Sequence, residues 1–140
     1  MAESELAAFL HARLDELESA AMAAAHHSGG LHWGVEPSGD VVLEALPGED
    51  PPEKDDPYGI APFVGEFEGA GWHVALHSPA RVIAAAQAKR ALVDQCLMWQ
   101  RDAAVDPQLA PLASVADTVL ATMARAWAHH ADYQPVWSLP

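Results

Sequence analysis

Apolar residues recur at three- and four-residue steps from the start of the chain: Leu6, Phe9, Leu10, Leu14, Leu17, Ala21 and Ala24. A single stripe of this kind predicts an amphipathic helix from residue 3 to about 25. Glu3 and Glu5 sit in its first turn, where carboxylates favour the helix dipole. Its end is written as His26-His27-Ser28-Gly29-Gly30, because glycine takes up the left-handed terminating conformation without strain. The two histidines there cap the helix as cations or lie in solvent, since neighbours on a helix do not face a common point. The period then changes to two. Residues 31–36 (LHWGVE) and 41–46 (VVLEAL) flank Pro37-Ser38-Gly39-Asp40 and predict a hairpin. Alternation puts Trp33 and Val35 on one face, paired against Val41 and Leu43.

From 47 to 59 the chain reads PGEDPPEKDDPYG, which has neither a core face nor helix continuity and predicts a mobile acidic loop. A third strand follows within 60–67, with Phe63 as a core residue and Pro62 placing the strand at an edge. The segment 72–77 is ambiguous between a strand and one helical turn. Ser78-Pro79 then opens a helix to about 102, with Ser78 as N-cap and Pro79 in the first helical position. Its buried stripe is Val82, Ala85 or Ala86, Leu92, Val93, Cys96 and Trp99, with Arg90 and Asp94 as an exposed pair. After the turn at Asp106-Pro107, a last helix over about 112–130 carries Leu112, Val115, Val119, Met123 and Trp127 on one face. Tyr133 and Trp137 bring the tail back onto the body. The expected fold is α+β in a single domain, residues 1–140: an N-terminal helix, a small antiparallel sheet of two or three strands, then two helices packed on one face.

Composition narrows the classes. A chain of 140 residues that is 51% hydrophobic can bury a core without staples. Cys96 is the only cysteine, which suits a reducing cytosol and excludes a cysteine-built zinc cage within one chain. The acid-rich N-terminus does not read as a signal or transit peptide, and no apolar run approaches the roughly 20 residues of a membrane helix. A cytoplasmic location away from membranes is expected. The net charge of −13 is uneven: residues 1–78 carry fifteen acids against Arg13 and Lys54, whereas residues 79–140 balance five against five. An acidic half of this kind argues against nucleic acid as a partner. The acids serve solubility, or they meet a protein partner or a second copy of the chain.

Three blocks carry a family likeness. ELAAFLHARLDELESAA, HVALHSPARVIAAAQAKR and WAHHADYQPVW resemble an uncharacterised family of small proteins from Streptomyces, other actinobacteria and their phages. His73, His77, Pro79, Ala80, Arg81, Val82, Ala88, Lys89 and Arg90 match its middle block. Ala128, His130, Asp132, Tyr133 and Trp137 match its tail. The family pattern also places cysteines between these blocks, as a metal-binding knuckle. This chain has none from 97 to 114, so that feature does not carry over. The resemblance implies no activity.

Two groups remain as candidate chemistry. His73 and His77 are four apart; on a helical turn they point the same way and suit one zinc ion, with His130 as third ligand and Asp132 in reserve. The alternative is structural: both hydrogen-bond the loop and cap the adjoining helix, with Tyr133 and Trp137 packed nearby. Arg81 and Lys89, about 80° apart at about 100° per residue, suit a phosphate or carboxylate near the helix start. Their alternative is an ion pair of Arg81 with Asp132 or with an acid of the first helix. Cys96 lies on an apolar stripe and the serines lack glycine elbows, so nucleophilic catalysis has no support. The leading expectation is a non-catalytic interaction or accessory protein whose acidic half meets a protein partner. The alternative is a small metal-dependent or anion-binding enzyme centred on the histidines.

Overall fold

The computed structural model describes residues 4–48, 63–66 and 69–138. The acidic loop expected at 47–59 lies, from residue 49 onward, outside the described residues, as do Pro62 and the side chain of Phe63.

Helix α1 (Glu5–Ser28) starts after Ser4, whose Oγ accepts from the Ala7 N–H at 3.1 Å. It ends at Gly29, which has φ +86° and donates its N–H to the Ala25 carbonyl. Strands β1 (Trp33–Val35), β2 (Asp40–Leu43) and β3 (Phe63–Glu66) form an antiparallel sheet in the order β1-β2-β3, which puts β3 at an edge. The register pairs Trp33 with Leu43 and Val35 with Val41, as the alternation of the sequence predicts. The β2–β3 ladder shifts register between Val41 and Val42, a bulge-type irregularity.

The ambiguous segment is a helix, α2 (Gly71–Leu76), packed against β1 and β2. Its approach needs Gly71: a Cβ there would stand 2.3 Å from the Gly39 carbonyl oxygen of the hairpin turn. The His77 and Ser78 N–H groups donate to Val74 and Ala75 as α2 unwinds, and Pro79 opens α3 (Pro79–Val105). A proline at N1 forfeits no helix hydrogen bond. α3 runs three residues past the expected end. Asp106 then stops the chain by accepting from the Gln108 N–H at 3.0 Å, which caps a 3-10 turn at Pro107–Leu109. α4 follows at Ala110–Ala124, shorter than the expected 112–130, and tightens into a 3-10 turn at Arg125–Trp127. Among the described residues no helix is long and apolar enough to cross a membrane.

Two compact units divide the chain, residues 1–16 with 86–140 and residues 17–85. The first has a core of Ala7, Phe9, Leu10, Val93, Cys96, Ala116, Leu120 and Ala124. Tyr133 and Trp137 close on it, with ring centroids 6.1 and 5.0 Å from that of Phe9. Two expected stripes need correction. Leu92 on α3 is 42% exposed, while Val93 and Cys96 are buried. On α4 the inward seam is Ala116, Leu120 and Ala124, whereas Leu112 and Val115 are exposed. Val119, Met123 and Trp127 of the expected stripe pack half-buried against this core, while Ala116 and Ala124 allow a close approach that leaves Leu112 and Val115 outside it. The second unit buries Val41, Val42, Leu43, Ala75 and Pro79.

Candidate interaction site

One open cleft of about 110 Å³ lies in the unit of residues 17–85, lined by Trp33, Gly34, Glu44, Trp72, Ala75, Leu76 and Arg81. Its two tryptophans are held differently. Trp33, on β1, donates its indole N–H to Ser28 Oγ at 3.1 Å and to the Gly30 carbonyl at 3.3 Å, so it forms a fixed wall. Trp72, in the first turn of α2, is 70% exposed, and Leu76 beside it is 54% exposed. These two side chains fall on the outer face of α2 because Gly71 and Ala75 take the inner one. Glu44 lies across the small surface of Gly34, where an added Cβ would stand 1.7 Å from Glu44 Oε1. Glu44 and Arg81 both line the cleft, and neither makes an ion pair among the described residues.

The residues singled out in the sequence fall in several places. His73 and His77 are together on the exposed side of α2, with ring centroids 4.6 Å apart. His130 belongs to the other unit, where Arg13 meets its ring through Nη1, 2.7 Å from Nδ1 and also in contact with Nε2. The backbone N–H of Asp132 also donates to His130 Nδ1, at 3.1 Å. These contacts within its own unit engage the His130 ring. Among the described residues, no group of three or more His, Cys, Asp or Glu side chains is arranged to hold a metal ion.

Arg81 and Lys89 likewise have separate surroundings. Arg81 is in the cleft, while Lys89 Nζ lies 5.9 Å from the centre of the Trp127 ring in the other unit. Two of the acids open to Arg81 in the sequence lie near other cations. Asp132 stands 3.8 Å from Arg13, and Asp15 of α1 accepts from Arg90 at 2.7 Å. Cys96 is fully buried, and burial followed by the charge of Asp117 pushes its thiol pKa up, away from nucleophilic use.

Sequence reasoning missed Arg13 and the cleft. Arg13 is buried on α1, donates to Glu16 at 2.7 Å and lies 5.3 Å from the Phe9 ring centre. A signal was available: Arg13 follows Leu6, Phe9 and Leu10 at helical spacing, a cation at an apolar position. Trp72, Glu44 and Trp33 carried no such signal, because their convergence depends on how α2 meets the hairpin.

Neither a curated protein nor a solved structure matches the chain significantly. One family profile does, over residues 3–139, and the chain belongs to that family, the family of unknown function DUF6221.

Proposed function

We propose that this is a non-catalytic interaction protein of the cytoplasm that receives a basic protein partner on its acidic half, with Trp72 as the central contact. The observation that carries this reading is the exposure of Trp72 beside Leu76 on a cleft that also holds Glu44 and Arg81, neither of them ion-paired among the described residues. Tryptophan is costly to leave in water and is the residue most enriched among interface hot spots. Charge supports the same partner class. Residues 17–85 carry eleven acids against Lys54 and Arg81, a net −9, so a basic surface is drawn in and an acidic one repelled. Glu44 supplies a carboxylate at the cleft itself, and the Trp33 and Trp72 rings offer faces to a cationic side chain.

The test uses the whole chain and a basic peptide containing one leucine, with an acidic peptide of equal length as control. The basic peptide is expected to bind, and its affinity is expected to fall with added salt and in Trp72→Ala and Glu44→Lys. Far-UV circular dichroism checks that each variant is folded. Equal affinity of wild type and Trp72→Ala, or preference for the acidic peptide, would reject the reading.

A further inference from the structure

We propose that His73 and His77 form a two-histidine site for a borderline divalent transition metal, of the class of Zn²⁺, Ni²⁺ and Cu²⁺, on the open face of α2. The inference stands apart from the interaction reading above and does not depend on it. It begins with helix geometry. His73 lies near the end of α2 and His77 is its C-cap, and the two imidazole centroids are 4.6 Å apart with ring planes inclined at 59°. A tetrahedral ion with nitrogen ligands at about 2.0–2.1 Å holds two of them about 3.3 Å apart. Rings this close reach that separation by turning about their side-chain bonds. Both residues are exposed, so no packed neighbour resists the turn.

The nitrogens are also available. Neither the His73 nor the His77 side chain makes a hydrogen bond or ion pair among the described residues, in contrast to the His130 ring, which meets Arg13 and the Asp132 N–H. The net charge of this stretch of chain favours a cation, since residues 17–85 carry a net −9. Imidazole selects the metal class, because Mg²⁺ and Ca²⁺ take oxygen ligands. The other exposed histidine pair, His26 and His27, consists of adjacent residues about 100° apart on their helix, so it does not chelate. Two protein ligands leave the remaining coordination positions to water or to a side chain of a bound partner.

Calorimetric titration of Ni²⁺ and Zn²⁺ into untagged protein, with Mg²⁺ as control, tests the site. One Ni²⁺ or Zn²⁺ per chain is expected, with no Mg²⁺ binding. His73→Ala and His77→Ala are each expected to weaken it about tenfold or more, because removing either ring removes the chelate. A His26→Ala/His27→Ala double variant should bind as wild type does. His73→Gln and His77→Gln serve as second variants should either alanine change disturb the helical spectrum. Affinity that falls less than about twofold in each single variant would mean that the rings act independently, and would overturn the proposal. So would loss in the His26→Ala/His27→Ala variant alone.

Discussion

Arg13, buried in α1, donates from Nη1 to the ring of His130, 117 residues further along the chain, at 2.7 Å from Nδ1. The same guanidinium donates from Nη2 to Glu16 at 2.7 Å and lies 5.3 Å from the centre of the Phe9 ring. Phe9 in turn packs edge-on against His130 and Tyr133. One side chain therefore ties the first helix to the tail within a single unit.

Removing it should loosen that tie. Glu16 and Asp132 are mostly exposed, so their charges relax into water and add little to the loss. The larger part is the buried stem over Phe9 and the hydrogen bond to His130. Arg13→Ala is expected to cost about 1.5–3 kcal/mol in urea denaturation. Arg13→Lys should recover less than half, because an ammonium lacks the planar fork that addresses Glu16 and His130 together. Full recovery by lysine would show that charge alone is what matters at this position.

The seam of α4 makes a sharper test of packing. Leu120 is 1% exposed and Ala116 fully buried, whereas Leu112 is 37% and Val115 50% exposed. Leu120→Ala should destabilise by about 2–5 kcal/mol and Ala116→Leu by about 1–3, one by leaving a cavity and the other by overpacking. Leu112→Ala and Val115→Ala should stay within about 1 kcal/mol. If the ranking came out reversed, the inward face of this helix would be the one predicted from its larger side chains.

Two glycines should respond in opposite ways. At Gly71 a methyl group would meet the Gly39 carbonyl oxygen at 2.3 Å and Val35 Cγ2 at 3.1 Å, backbone on one side and packed side chain on the other. Gly71→Ala should therefore lower stability by about 1–3 kcal/mol. At Gly34 the obstacle is the end of the exposed Glu44 side chain, which can swing away. Gly34→Ala should leave the denaturation midpoint nearly unchanged and weaken the basic peptide, because Glu44 is displaced from the cleft. A large loss of stability in Gly34→Ala would contradict this.

Cys96 predicts a pH dependence. Burial, then the charge of Asp117, raises its pKa in the folded state, so the folded protein holds this proton where the unfolded chain has released it. The contribution to stability is complete below the ordinary thiol value of about 8.5 and is lost as pH rises through the higher folded value. Urea midpoints should fall above that pH in wild type and fall less in Cys96→Ala. In the native protein at neutral pH the thiol should resist alkylation until the chain is unfolded.

Much of the fold was legible from residue order alone. The three- and four-residue period of α1, the alternation around Gly39, and Ser78-Pro79 before α3 are local signals. They report backbone conformation and turn chemistry, which neighbours along the chain enforce by themselves. The hairpin register followed because a slip of one residue would turn Val41 and Leu43 away from their partners. Likeness to a family without a known activity was legible too, and the chain belongs to a family of unknown function over residues 3–139.

Tertiary structure decided the rest. In α3 and α4 alanine is spread around the helix, so several faces are apolar enough to be buried and only the neighbouring elements select among them. That is why Leu92, Leu112 and Val115 face outward while Ala116 and Ala124 face in. The same holds for the charged and polar groups. That Arg13 on the first helix reaches the ring of His130 in the tail depends on which distant segments pack together. The sequence determined most of the elements and the starts of α1 and α3, because hydrogen bonding along a helix or across a tight turn is a short-range matter. Which sides of those elements meet was left to packing, because contacts between residues more than a hundred positions apart have no periodic trace in the chain.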